Sequence, residues 1–180
     1  NTVLNISYSV TNNLCYGDTI GIVNITPTGG TLPYSYIWSN GETTQNINNL
    51  TAGEYFVTFT DAIGCSVNDS ATVTEPGQLS TSFILTPMSC SGADDGAIDL
   101  IVMPGTPPYT YLWSNGATSQ DITNLSSGIY FITVTDFNGC TDTASVIITE
   151  PTALTVTMSS DSVSCNGGND GAATATPAGG

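Results

Sequence analysis

One long block recurs along this chain without a single insertion or deletion, and an ungapped repeat of this kind leaves few architectures open. Cys15, Cys90 and Cys165 are evenly spaced, and the same step separates Cys65 from Cys140, Trp38 from Trp113, and Glu75-Pro76 from Glu150-Pro151. Pro33-Tyr34-Ser35-Tyr36-Ile37-Trp38-Ser39-Asn40-Gly41 lies over Pro108-Tyr109-Thr110-Tyr111-Leu112-Trp113-Ser114-Asn115-Gly116. Each copy is therefore one structural unit, and the chain holds about two and a half of them. The boundary falls most naturally at Glu-Pro, because proline cannot donate to a strand ladder and marks strand edges or starts. This gives units 1–75 and 76–150 and a truncated third, 151–180, with Leu4, Leu79 and Leu154 beginning equivalent first strands. Linkers are nearly absent, so the expectation is a fairly stiff rod rather than beads on a flexible string.

Within the second copy, residues 79–86 alternate like a strand, and 97–103 form a second between Gly and Pro turns. A third, 109–113, closes on Ser114-Asn115-Gly116, where Asn-Gly signals a tight turn. Short strands follow at 121–125, 129–136 and about 144–149. Nothing reads as a long amphipathic helix, and Thr, Val, Ile and Tyr favour strands. Trp38 and Trp113, on the third strand, stand where immunoglobulin-like domains keep a core tryptophan, and Tyr55 and Tyr130 stand where they keep a tyrosine corner. All four read as core or corner residues rather than ligand-stacking rings. The expected class is all-β: tandem immunoglobulin-like β-sandwich repeats with a 75-residue period.

Composition then excludes functions. The 180 residues include no Lys, Arg or His against 15 Asp and Glu, for a net charge of −15. Phosphate neutralisation needs cations, so nucleic acid and anionic membrane surfaces are excluded as partners. Without histidine the usual general base, the Ser-His-Asp and Cys-His arrangements and imidazole metal ligation are missing. No salt bridge and no Lys-to-Asn isopeptide cross-link can form, and trypsin-like proteases have no site. Stability must come from apolar burial, backbone hydrogen bonds and covalent cross-links. No cofactor is expected and the chain is read as not an enzyme. No apolar run approaches the roughly 20 residues of a membrane helix. Residues 1–14 lack a signal peptide pattern and the chain starts and stops in mid-pattern, so we read it as part of a longer secreted protein.

The combined pattern of Cys90-Ser91-Gly92-Ala93-Asp94-Asp95-Gly96, Gly105 to Gly116, Leu125 to Tyr130, Asp136 to Cys140 and Glu150-Pro151 resembles the SprB repeat, a family of giant surface adhesins of Bacteroidota. The first copy departs at Cys15-Tyr16-Gly17-Asp18-Thr19-Ile20-Gly21, which lacks the Asp before the final Gly, so no uniform role attaches to Asp95 or Asp170. The resemblance implies export by the type IX route, an extracellular, cell-surface-attached location and an adhesive or filament role, with gliding motility for its best-known member. The partners implied are neighbouring repeats of the same chain and other copies in a fibre, with no surface or polysaccharide ligand specified.

Five cysteines in an acidic, secreted repeat argue for disulfides, and without histidine or a Cys-x-x-Cys pair zinc is the poorer reading. Pairing within a copy, Cys15–Cys65 and Cys90–Cys140, is one alternative. The topology of an immunoglobulin-like sandwich favours another. The first strand delivers Cys15 to the far end of its copy, whereas Cys65 and Cys140 follow a turn at the near end, a strand length away. A disulfide tolerates only about 4.4–6.8 Å between Cα atoms. Cys15–Cys140 across the junction is thus preferred, with the partners of Cys65, Cys90 and Cys165 lying in units outside these residues.

Asp94, Asp95 and Asp99 are weak calcium candidates, since no Asp-x-Asp-x-Asp-Gly loop is present and solvated turn carboxylates explain them. Thr19, Ser70, Thr143 and Ser162 sit in Asp-Ser/Thr-apolar sequences of the kind O-glycosylated in Bacteroidota surface proteins. Asn5, Asn24, Asn49, Asn68 and Asn124 lie in N-x-Ser/Thr sequons, which carry little weight in a bacterial protein. The function expected is a structural or adhesive stalk of a surface filament built of disulfide-linked repeats. The alternative is a carbohydrate-binding module, which paired exposed aromatics would favour.

Overall fold

The computed structural model describes residues 3–180 and contains strands only. The first repeat has six: β1 (Asn5–Thr11), β2 (Gly21–Thr28), β3 (Ser35–Trp38), β4 (Ile47–Leu50), β5 (Gly53–Thr60) and β6 (Ser66–Val73). They form two antiparallel three-stranded sheets, β1-β2-β4 and β3-β5-β6. The second repeat duplicates this with β7 (Ser80–Thr86), β8 (Gly96–Met103), β9 (Thr110–Trp113), β10 (Ile122–Leu125), β11 (Gly128–Thr135) and β12 (Thr141–Ile148), in sheets β7-β8-β10 and β9-β11-β12. Each repeat is an immunoglobulin-like β-sandwich. β13 (Thr155–Asp161) and β14 (Ala172–Ala178) pair as a hairpin whose strand residues are all exposed. The last strand of the second repeat starts at Thr141, earlier than alternation suggested, because its first residues are polar on both faces.

By packing, the chain divides into two compact units, which do not follow the repeat boundary at 75/76. One comprises Asn1–Ser80, Met103–Tyr109 and Thr135–Thr141; the other comprises Thr81–Val102, Thr110–Val134 and Asp142–Gly180.

In the first unit, inward positions of both sheets meet in a core of Val23, Ile25, Tyr36, Trp38, Ile47, Leu50, Val57, Phe59, Ala71 and Val73. Period-two alternation supplies it: Val23 and Ile25 of β2 face in while Asn24 and Thr26 face out. Phe59 is fully buried, with Tyr34 edge-on at 4.9 Å and Tyr36 stacked at 5.6 Å between ring centroids. In the second unit the equivalent of Phe59 is Val134, also fully buried, and the missing ring is replaced from another strand. Phe83 of β7 stands where the first repeat has the exposed Tyr8, and its ring centroid lies 6.4 Å from that of Trp113.

Trp38 and Trp113 are 2 % exposed, and each indole N–H donates to a backbone carbonyl six residues on, Thr44 and Ser119, at 2.9 and 3.0 Å. Tyr55 and Tyr130 stand at the corner that opens the fifth strand of each repeat. They are half-buried at the sandwich edge, because each phenol turns outward to donate to a carbonyl four residues back, Thr51 and Ser126, both at 3.0 Å. That bond is the one a tyrosine corner makes.

Two local devices close each sandwich. Asn49 and Asn124 take φ of 56° and 57°, the left-handed region asparagine tolerates better than most residues. In the second repeat this bulges β10 between Thr123 and Leu125. Gly21 and Gly96 then allow the bulged strand to approach. A Cβ on Gly96 would stand 2.9 Å from both the Leu125 carbonyl oxygen and Ile148 Cγ2, and one on Gly21 would meet the equivalent Leu50 oxygen and Val73. We therefore expect Gly96→Ala to cost about 1–3 kcal/mol. Gly128→Ala, where a Cβ meets open space, should stay within about 0.5 kcal/mol of wild type. Urea unfolding of the two variants checks the contrast.

Candidate functional site: the Cys15 turn and its receiving turn

The segment between β1 and β2 folds into a tight turn presenting Cys15. The N–H of Asp18 donates to the Cys15 carbonyl at 3.2 Å, the N–H of Cys15 donates to Asp18 Oδ2 at 2.8 Å, and Gly17 supplies a φ of 79°. Asn13, buried, secures the base: its amide donates to the Leu50 carbonyl at 3.2 Å and its Oδ1 accepts the Ile20 N–H at 3.0 Å. The end of β6 holds the turn from the side. The Asn13 N–H donates to the Thr74 carbonyl, the Thr74 N–H to Asn12 Oδ1, and the Gly17 N–H to Glu75 Oε2 at 2.7 Å.

In the second unit Gly92 donates in the same way to Glu150 at 3.0 Å, and Asp95 does for the Cys90 turn what Asn13 does for the Cys15 turn, accepting the Ser89 N–H at 3.0 Å. Asp170 repeats this with Ser164. The hydroxyl and backbone N–H of the serine hold Asp95 and Asp170 below the ordinary carboxylate pKa. The Asp of the repeat pattern is thus a turn-closing acceptor, and the first repeat replaces it with Asn13 acting from the other side of the loop.

The receiving turn lies between β11 and β12, within the same compact unit as Cys15. Asp136 is buried and organises it. Its Oδ1 accepts the N–H groups of Asn138 and Cys140, both at 2.9 Å, and its Oδ2 accepts that of Thr106 at 3.1 Å. Gly139, with φ of 87°, completes the turn. The Asn138 amide, braced on Thr106 Oγ1 at 3.1 Å, donates to the Leu14 carbonyl at 3.3 Å. Cys15 and Cys140 are disulfide-bonded with Cα atoms 5.5 Å apart. Cys140 Sγ also lies 3.3 Å from the Leu14 carbonyl oxygen, a packing contact only, since a bridged sulfur has no proton to donate.

The alternative pairs are not formed: Cys65 and Cys90, like Cys165, are free and exposed. The reason is positional. Cys15 leaves β1 beside Thr74, at the end of β6, whereas Cys65 immediately precedes β6 beside Thr31. Eight strand residues at about 3.3 Å each separate the two ends.

The Cys65 turn reproduces the receiving geometry without a bridge. Asp61 is buried and accepts the N–H groups of Thr31, Ile63 and Cys65 at 3.0, 3.1 and 2.9 Å. Burial alone raises its pKa, but the donors of Cys65, Thr31, Ile63 and Gly64 prevail and hold it below the ordinary carboxylate value. Asp61 and Asp136 were not singled out from sequence, and neither were Glu75 and Glu150 beyond their use as boundary markers. The signal was the repeated Asp-x-x-Gly-Cys and the repeated Glu before Pro.

The remaining candidates do not assemble into a site. No group of three His, Cys, Asp or Glu comes together among the described residues. Asp94 accepts the Ser126 hydroxyl at 2.7 Å, Asp95 closes its turn, and Asp99 lies exposed on β8. Thr19, Thr143 and Ser162 are exposed, whereas Ser70 is half-buried and donates to Glu54 at 2.8 Å. No helix is long and apolar enough to cross a membrane among the described residues. Shallow hollows recur at equivalent places on the outer faces of β5–β6 and β11–β12, each lined by one exposed ring, Phe56 or Phe131.

The chain is thus a protein of tandem immunoglobulin-like repeats with a cysteine turn at one end of each sandwich and a cysteine-bearing receiving turn at the other. The SprB repeat model matches residues 7–43 and 82–118, one stretch per copy and in the same register. No curated protein matches the chain in sequence. Among solved structures, it is similar to the three N-terminal domains of the bacteriophage RB49 Highly Immunogenic Outer Capsid protein, with TM-score 0.51 and 18 % identity over 98 % of this chain and 70 % of that one. A C-terminal fragment of intimin, solved with its receptor's intimin-binding domain, gives TM-score 0.43 and 16 % identity over 84 % of this chain and 66 % of that one. At these identities the likeness to the capsid protein concerns the fold alone.

The lowered pKa of Asp61 carries a pH dependence. The folded value lies below the unfolded one, so the stabilisation is complete above the unfolded pKa of about 3.9 and is lost as pH falls through the folded value. We expect Asp61→Asn to lower Tm at neutral pH and to make the fall of Tm below about pH 4 shallower than in wild type. Calorimetric scans from pH 2 to 7 read both effects.

Proposed function

We propose that this chain is a tension-carrying segment of an extracellular surface adhesin or filament, attached at the cell surface and not catalytic. The observation that carries this reading is the Cys15–Cys140 bond, which joins a turn of one SprB repeat to a turn of the next across 125 residues of sequence. A force applied at the two chain ends passes from Cys15 through the sulfur bridge to Cys140, and the sequence between them carries no load. Closing a loop of this length also removes on the order of 5 kcal/mol of conformational entropy from the unfolded chain.

Other observations favour the same reading. The buried carboxylates that an enzyme without histidine would rely on, Asp61 and Asp136, are each committed to three backbone N–H groups. A sugar-binding face is poorly supported, since stacking on saccharides favours paired rings and each outer hollow holds one. Export by the type IX route, a Bacteroidota origin, glycans at Thr19, Thr143 or Ser162 and a part in gliding rest on the family resemblance and the sequence patterns.

Single-molecule stretching of the chain held at its two ends tests the proposal. The oxidised protein should release a contour length shorter than the reduced protein by about 3.3–3.6 Å for each of the 125 bypassed residues, roughly 400–450 Å. Cys15→Ser should behave as reduced. Equal contour lengths with and without reductant would overturn the reading.

A further inference from the structure

We propose that Asn138 is a modification site gated by the disulfide beside it. With Cys15–Cys140 closed, its side-chain amide is protected. Once the bond opens, the amide is lost as ammonia, and the aspartyl or isoaspartyl residue left behind resists reclosure. The gate concerns the chemistry of the bridge and holds whether or not the chain bears load.

Asn-Gly occurs at Asn40, Asn115, Asn138 and Asn166. An asparagine before glycine is chemically fragile, because a residue without Cβ lets its backbone nitrogen reach the asparagine Cγ. Asn40 and Asn115 are exposed and restrained only from within their own turns. The N–H groups of Gly41 and Gly116 donate to the carbonyls of Trp38 and Trp113 at 3.0 and 2.9 Å. Oδ1 of each asparagine accepts the N–H two residues on, from Glu42 and Ala117, both at 3.1 Å.

Asn138 is held differently. Its turn is closed from within by the Gly139 N–H, which donates to the Asp136 carbonyl at 3.1 Å. Its side chain, however, is half-buried and tied from outside the turn. The amide donates to Thr106 Oγ1 at 3.1 Å and to the Leu14 carbonyl at 3.3 Å, the latter 124 residues away in sequence. Leu14 adjoins Cys15, so the disulfide keeps that carbonyl in place. Ring closure requires Cγ to swing over the Gly139 nitrogen, and an amide tied at Nδ2 to two fixed acceptors makes that swing only by breaking both bonds. The first copy has Ile63 at this position, so its turn has no amide to lose.

A dithiol reductant opens the bridge by exchange, giving the Cys15 and Cys140 thiols and its own cyclic disulfide. The Leu14 contact then rests on a single hydrogen bond, too weak a restraint to hold a loop. The Gly139 nitrogen attacks Asn138 Cγ and its proton passes to a solvent base. The Cγ–Nδ2 bond breaks, ammonia leaves and a succinimide ring remains. Water opens the ring at one carbonyl or the other, giving aspartate or isoaspartate. Neither product has the N–H donors that met Leu14, and each brings a carboxylate toward that carbonyl and toward the buried Asp136.

The test compares two samples of the full chain. One is bridged, with its free thiols at Cys65, Cys90 and Cys165 alkylated; the other is reduced by the dithiol and alkylated at every cysteine. Both are incubated at mildly alkaline pH. Peptic peptides, made at low pH where the reaction stops, report the change in mass from amide to acid at each Asn-Gly pair. The expected result is that Asn138 converts about fivefold or more faster in the open sample, while Asn40 and Asn115 change by less than about twofold. Cys15→Ser, which is open without reductant, should match the reduced sample. Asn138→Asp, placed in a glutathione redox buffer, should show a ratio of bridged to open chains about fivefold or more below that of wild type. Equal Asn138 rates in the two samples, or an acceleration shared equally by Asn40 and Asn115, would overturn the gate. Unimpaired reclosure of Asn138→Asp would overturn the lasting block.

Discussion

A chain with no cationic side chain cannot neutralise a buried carboxylate with a salt bridge, and the structure depends on the solution it adopts instead. Asp61 and Asp136 are turned inward and surrounded by backbone N–H groups. Charge-assisted bonds of this kind are roughly twice as strong as neutral ones. They fix the path of the β5–β6 and β11–β12 turns and the loops that feed Thr31 and Thr106. Placement of Cys65 and Cys140 follows directly, because the N–H of each cysteine is itself one of the three donors. The same economy appears at the other end of the sandwich, where Glu75 and Glu150 hold the cysteine turns by the N–H groups of Gly17 and Gly92. Negative charge thus acts as a set of acceptors that shape turns rather than as half of any ion pair.

Much of this was legible in the sequence because the chain states its pattern twice. Strand positions follow from alternation wherever one face is apolar, and the repeat register repairs ambiguity in one copy with the other. Legibility failed where the outcome depends on a contact distant in sequence. That Phe83 would stand in for the ring lost between Phe59 and Val134 requires knowing that the first and fifth strands of a sandwich face one core. The bulge at Asn124 and the tight approach over Gly96 belong to the same class, since neither residue type alone tells a bulge from an ordinary turn.

The cysteine turns and the receiving turns were also unequal in what sequence could show. The topological reason for preferring Cys15 with Cys140 needed only the direction of the strands, so it could be argued in advance. The chemistry that makes Cys140 a receiver needed side-chain detail. Asn138 differs from Ile63 in the first copy, and only the bond to the Leu14 carbonyl reveals what that difference does. Repeats that are nearly identical in strand pattern therefore differ at a position that touches the received turn.

A further consequence comes from following the covalent path. If bonds of the Cys15–Cys140 kind recur at every repeat, a force entering at Cys65 needs only the short span from Cys65 to Cys90 before it meets the next bridge. Within that span, Ser66–Val73 and Ser80–Thr86 are already strands, close to the limit of about 3.3–3.6 Å per residue that a chain can reach. The strand residues of that span then have almost no length of their own to give. On the proposed tension-carrying reading, the fold positions the cysteines and the bridges spare the fold from having to resist a pull through weak interactions alone. On this account the sandwich serves as a jig that aligns successive bridges.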